Sequence, residues 1–283
     1  MTDTTTVAPP PDAPPPRPPM GTADKVRFVL RGIGQTLITL GLVVLLFVVY
    51  EVWITNLFAA REQKKVTQAL MKEWQKQDEL ALPSSEDPSV PVGTGLGILY
   101  IPRLGRDYHF TIVQGATVPT DSDLEKGPAH YKDTALHGQV GNFAVAGHRV
   151  GKGEPFLNID KLRSGDAVIV ETRTYWYVYR VLGSPAGQDP GRVHESIPVA
   201  GRRSVTLPGR EIVDPSAGRV LDEVPDNPGV RAATALMTMT TCHPKFTASH
   251  RMIVYSKLVG APVKNVGLKM PASVLALYDE VKA

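Results

Sequence analysis

Three residues with the chemistry of acyl transfer stand at the ends of apolar runs. Cys242, the only cysteine among 283 residues, closes the alternating run ALMTMTTC. Arg251 comes nine positions later, at the head of RMIVYSKL. His148 directly follows FAVAG. A thiol becomes a strong nucleophile when a neighbour takes its proton. An imidazole can do that near neutral pH. A guanidinium can hold the oxyanion that develops on an attacked carbonyl. At the ends of neighbouring strands, all three can face one site.

Each residue also has a plainer reading. A lone cysteine in an apolar strand is ordinarily a small buried hydrophobe. Here Pro244 ends the strand just beyond it, which places the thiol at a rim. Arginine at a strand end is ordinarily solvated, so Arg251 gains meaning only in combination. The chain has seven histidines. His243 adjoins Cys242, but successive residues of extended chain point to opposite faces, which favours His148. His130 and His250 remain open.

The elements that must position these residues come late in the chain. Residues 1–24 form a tail with eight prolines between Pro9 and Pro19, a composition that builds no core. The uncharged stretch GIGQTLITLGLVVLLFVVY and its continuation VWITNLFAA predict a transmembrane helix over 32–59. Tyr50, Trp53 and Phe58 fall where an interfacial belt would lie. Lysines and arginines flank both ends, so charge leaves the orientation open. Residues 60–95 read as a charged amphipathic helix, Arg61 to Leu82, lying on a membrane surface or serving as a spacer. A Pro/Ser/Gly-rich linker over 83–95 follows.

The main domain, 96–262, consists of short β-like runs separated by turn residues. This predicts an all-β closed barrel or sandwich with short helical pieces near Ser122–Lys126 and Phe156–Leu162. DAVIVETR and YWYVYRVL predict a hairpin turning near Thr172–Tyr175. The Gly/Pro/Arg-rich stretch 183–228 reads as a long loop, with strand signal only at Ser204–Leu207 and Glu211–Val213. Residues 263–283 read as a tail or a peripheral helix.

TMTTCHPKFTASHRMIVYSKL resembles the Cys–Arg segment of sortases, and FAVAGHRV resembles their histidine segment. GPAHYKDTALHGQVGNFAVAGHR and IVDPSAGRVLDEVP are most similar to class E sortases of high-GC Gram-positive bacteria. The resemblance covers Leu96 to Leu258, with Met239 standing where the family pattern has leucine. It implies a closed eight-stranded barrel behind a single transmembrane helix. It also implies cysteine transpeptidation. Cys242 is the nucleophile, His148 the acid–base and Arg251 the holder of the carbonyl and its oxyanion. The implied substrates are secreted proteins with a C-terminal LPxTG- or LAxTG-like signal, and the acceptor is an amine of a lipid-linked peptidoglycan precursor. Tyr131, Thr240 and Thr241 are the implied substrate-binding residues. The N-terminus would be cytoplasmic and the catalytic domain outside the membrane.

Other classes fit less well. A net charge of +3 without a basic, aromatic-interleaved stripe gives no reason to expect nucleic acid. One cysteine excludes an internal disulfide and a cysteine zinc cluster. Asp121, Asp123 and Glu125 have the spacing of a helix's first turn, and neither a metal nor a cofactor is expected. Peptidoglycan-crosslinking cysteine transpeptidases carry an SHGC-like segment where this chain has TTCHP. The alternatives within reach are a catalytically silent, membrane-tethered module on the same barrel and a pilin-polymerising sortase.

Overall fold

The computed structural model describes residues 21–50, 54–76 and 90–282. The proline-rich tail and most of the linker over 83–95 lie outside the described residues. Two compact units divide the chain, Met1–Val48 and Val49–Ala283.

In the first unit, helix α1 spans Thr22–Val49, 28 residues, or about 42 Å at the α-helical rise. Its most apolar window has mean hydropathy 2.3 and none of it is buried against protein. The Thr36 and Thr39 hydroxyls donate to the carbonyls of Gly32 and Gln35 at 2.9 and 3.0 Å, so these polar groups are satisfied within the helix. By length and composition α1 can cross a bilayer. Within the expected span 32–59, α1 runs to Val49 and the next α-helix opens at Thr55, and residues 51–53 lie outside the described residues.

That second helix, α2 (Thr55–Lys76), begins the larger unit. The sequence suggests a spacer or a membrane-surface helix, but in the structure α2 packs on the barrel. Its Leu70 and Trp74 bury against Ile98. The Gln63 side chain reads Thr111 like a strand partner. It accepts from the Thr111 N–H at 2.9 Å and donates to the Thr111 carbonyl at 3.1 Å. A lone amphipathic helix gains most of its stability from such a face.

Strands β1 (Gly95–Tyr100), β2 (His109–Gln114), β3 (Ala129–His130), β4 (Gly141–Ala146), β5 (Ala167–Glu171) and β6 (Tyr175–Val181) follow. Helix α3 (Asp121–Leu124) lies between β2 and β3. Then come β7 (His194–Val199), β8 (Arg202–Pro208), β9 (Arg210–Val213), β10 (Ala235–His243), β11 (His250–Leu258) and β12 (Val263–Lys264). The ladder runs β6-β5-β1-β2-β3-β4-β10-β11, and β11 pairs back with β6, closing a barrel of eight strands. Closure leaves the ring without a free edge. The barrel interior is apolar, packed by Leu99, Ile112, Phe143, Val170, Met237, Met239 and Val254 among others. Met239 is fully buried there, so methionine fills the place of the family's leucine as one apolar residue for another.

The predicted hairpin is β5–β6, turning at Thr172–Tyr175. The stretch read as a long loop corrects to β7, β8 and β9. β7 and β8 pair as a separate hairpin, and its Ile197, Val199, Val205 and Leu207 bury against Leu236, Ile253 and Tyr255. These are outward-facing residues of β10 and β11, so both faces of those strands are covered. The alternation was obscured by Pro198, which sits at a register shift in β7. The C-terminal stretch docks as short helical turns, burying Val274, Leu277 and Tyr278 against Ala167, Ile169 and Trp176.

Candidate active site

Register assembles the site. β10 and β11 are antiparallel, and Cys242 lies directly opposite Arg251. β4 runs parallel to β10 on its other side, pairing Ala146 with Thr240. His148 and Cys242 each lie two residues further on, so the strand ends bring both to one rim. The pleat sets the face. Met237 and Met239 point into the barrel, while Leu236 belongs to the outer core. Thr240 and Cys242 share the parity of Leu236 and so face outward.

An outer groove of about 440 Å³ gathers Cys242, His148, Arg251, Tyr131, Thr240 and Thr241. This is ordinary ligand-pocket size. One wall is formed by residues 118–124, the other by the segment 213–221. A larger cavity of about 570 Å³ between α2 and β2 is lined by none of Cys242, His148 and Arg251, so volume alone does not find this constellation.

Each side chain is constrained differently. His148 is largely buried, and desolvation holds its imidazole below the ordinary histidine range. Asp121 and Glu125 oppose that shift and Lys152 adds to it. Its Nε2 is shielded from solvent and has no hydrogen-bond partner among the described residues. Arg251 donates through Nη1 to the carbonyls of Ala248 and His250 at 3.1 and 3.2 Å, which fixes one arm of its fork. The Tyr131 hydroxyl lies 2.8 Å from Thr240 Oγ1, and burial pushes the phenol up so that it stays protonated. Thr241 has inward parity, and its hydroxyl donates to the Gly147 carbonyl at 2.7 Å. It therefore ties β10 to the end of β4.

The rival histidines fall outside the groove lining. His130 is buried in the barrel wall, its ring nitrogens beside Gln114 and the Ala135 carbonyl at 3.1 Å each. His250 is exposed and pairs with His243 in register. His243 is held by Arg149, which donates to its Nδ1 at 2.8 Å. Burial and then the Arg149 charge lower its pKa.

Arg149 is the residue sequence reasoning missed. Its side chain is only 4% exposed, and it bridges to Asp160 at 3.1 Å. It also donates to the Cys242 carbonyl at 3.4 Å. It thus locks the strand end that carries the thiol to the one that carries the imidazole. The only signal was a charge immediately after His148 in AGHR, on the opposite parity.

The acidic residues near 121–125 have local work. Asp123 caps α3, accepting from the Thr120 N–H at 2.9 Å. Asp121 and Glu125 hold the Lys152 ammonium at 3.2 and 3.0 Å. Among the described residues no group of three or more His, Cys, Asp or Glu is placed to hold a metal.

Comparison with known proteins places the chain in a family. The sortase-domain family model matches residues 99–259. Sortase SrtE1 of Streptomyces coelicolor is 33% identical over 235 residues, covering 81% of this chain and 57% of its own length. The chain therefore spans little more than half of that relative. Sortase SrtE2 of the same organism is 30% identical over 233 residues, covering 80% of this chain and 81% of its own. Among solved structures, the SrtF sortase from Corynebacterium diphtheriae aligns with TM-score 0.55 and 34% identity, over 69% of this chain and 98% of that one. The SrtA sortase from Actinomyces oris aligns with TM-score 0.50 and 32% identity, over 66% and 91%. With the closed barrel and the Cys–His–Arg groove, these matches establish that the chain belongs to the sortase family of cysteine transpeptidases.

Proposed function

We propose that this chain is a membrane-anchored sortase. It cleaves an LPxTG- or LAxTG-like sorting signal after its threonine and transfers the protein to an amine of the cell wall. The observation that carries the reading is the meeting of Cys242, His148 and Arg251 in one groove, from three different strand ends. Helix α1 supports the membrane anchor. The acceptor amine lies outside the membrane, so the tail is assigned inside and the barrel outside.

The chemistry follows from the groove. Desolvation keeps His148 neutral at neutral pH, so its imidazole can accept the thiol proton as Cys242 Sγ attacks the threonine carbonyl. The carbonyl oxygen becomes an oxyanion beside Arg251, whose free donors stabilise it. The imidazolium returns its proton to the leaving amine, the peptide bond breaks and a thioester remains. The incoming amine then attacks the thioester, His148 takes the amine's proton, and the sulfur leaves as the new amide forms. Tyr131 and Thr240, joined by their hydroxyls, shape the part of the groove that receives the signal's second residue.

The test uses the full chain in detergent with LAxTG and LPxTG peptides and a glycine amine, followed by mass spectrometry. A thioester on Cys242 and a threonyl–glycine product are expected, and Cys242→Ala should form neither while remaining folded. A folded wild-type chain that forms no adduct with either peptide would overturn the reading.

A further inference from the structure

Four consecutive residues, Gly151, Lys152, Gly153 and Glu154, have φ of 70°, 51°, 82° and 39°. Two are not glycine, and such backbone persists only where its surroundings hold it. The segment begins three residues after His148. The chain then closes back on the histidine, because the Phe156 N–H donates to the His148 carbonyl at 3.0 Å. What holds this segment also holds the imidazole.

Three elements grip it. Lys152 Nζ reaches Asp121 and Glu125 at the α3 end. The Tyr108 hydroxyl donates to the Pro155 carbonyl at 2.7 Å. The third grip comes from the first turn of α2. The Gly153 N–H donates to Asn56 Oδ1 at 2.9 Å, and the Lys152 N–H donates to Thr55 Oγ1 at 3.4 Å. The approach is close: a Cβ at Gly153 would lie 3.2 Å from the Ala59 Cβ. The same helix also bonds the far side of the groove wall, since Gln63 donates to the Lys126 carbonyl just past α3. These contacts use the polar side chains of α2, not only its apolar stripe.

We propose that the first turn of α2, chiefly through the Asn56 carboxamide oxygen, is a positioning element for His148. By accepting from Gly153 it keeps residues 151–154 on their left-handed path, and that path sets the place of the imidazole at the groove rim. Helix α2 follows α1 after five residues, so the stretch adjoining the apolar helix takes part in the site. The catalytic consequence rests on the transpeptidase reading, in which His148 is the acid–base.

The test compares wild type, Asn56→Ala and Asn56→Asp in the full-length chain in detergent. Asn56→Ala removes the acceptor and Asn56→Asp keeps it. For Asn56→Ala we expect kcat of transfer to fall about ten- to hundredfold, the scale of a small misplacement of a catalytic group. KM for the sorting peptide and the burst titre of acylated Cys242 should be unchanged, and Asn56→Asp should recover most of kcat. An unchanged kcat in Asn56→Ala would overturn the proposal, as would a loss explained wholly by fewer titratable thiols, or no recovery in Asn56→Asp. A second readout needs no turnover. The charges that act on His148 are Asp121 and Glu125 from α3 and Lys152 from its own loop, with Cys242 and Arg251 across the groove. Loosening the loop rehydrates the ring, so its NMR titration midpoint should rise in Asn56→Ala; an unmoved midpoint counts against the proposal. A wild type that forms no thioester overturns the transpeptidase reading, and the titration still decides the positioning.

Discussion

Arg149→Met offers a sharp test of how Cys242, the proposed nucleophile, is held. Methionine fills much of the same space but removes the hydrogen bond to His243 at 2.8 Å, the longer one to the Cys242 carbonyl at 3.4 Å, and the ion pair with Asp160 at 3.1 Å. A charge-assisted hydrogen bond contributes about 1.5–3 kcal/mol. Asp160 is 38% exposed and rehydrates once unpaired, so the penalty falls below the roughly 3–5 kcal/mol of breaking a fully buried pair. Burying methionine in place of a desolvated guanidinium offsets part of the loss. The balance is about 2 kcal/mol of destabilisation, or a melting temperature lower by about 4–8 °C for a unit of this size. The rate should suffer more than the stability, because the Cys242 carbonyl loses its anchor to the His148 strand. Thioester formation should slow about tenfold or more. Circular-dichroism melting and quenched-flow mass spectrometry of the acyl-enzyme measure the two effects. Arg149→Lys should rescue little, since one ammonium cannot serve the fork's separate partners. A variant that melts and acylates like wild type would refute the claim that Arg149 ties the strand ends together.

Two further predictions concern protons. Asp121 raises the His148 pKa, so Asp121→Asn should move the acid limb of kcat/KM further below the ordinary histidine value. A limb that moves up, or a wild-type limb above 6.5, would contradict the assigned electrostatics. His137 is buried between Phe143 and Tyr177, and burial lowers its pKa to about 4. The unfolded chain binds that proton near 6.5, so native stability is lost as pH falls from 6.5 toward 4, by up to about 3 kcal/mol. His130, also lowered to about 4 by burial, acts in the same direction, while the raised Glu171 opposes both. His137→Phe should flatten the acid loss seen in urea titrations, and an unchanged slope would refute the assignment.

The meeting of Cys242, His148 and Arg251 in one groove was legible because these residues carry strong local grammar. A thiol before His-Pro, an imidazole after FAVAG and an arginine opening RMIVYSKL each mark a strand end, and strand ends in a barrel share a rim. The β5–β6 hairpin was legible for similar reasons, with its turn at Thr172–Tyr175. The β7–β8 hairpin was not, because Pro198 and the surrounding glycines and arginines broke the alternation that buries Ile197 and Val205. Nor was the docking of α2. A charged helix with a thin apolar stripe reads alike whether it lies on lipid or on protein, and Gln63 bonding Thr111 lies 48 residues away in sequence. Arg149 was hidden by its type, because arginine beside a strand end is ordinarily solvent-facing.

Strand β11 changes partners along one edge. Residues 251–254 pair with β9, and residues 256–258 pair with β6. The second ladder is the seam that shuts the ring, whereas the first carries the chain that continues into the groove wall. These are two separate fasteners on one strand. Parting β9 from β11 would break a ladder of four residue pairs and uncover Val213 from the outer core, while the β6 seam that closes the barrel would keep its own pairs. The lip beside Arg251 and the closure of the barrel are thus held by separate ladders on one strand.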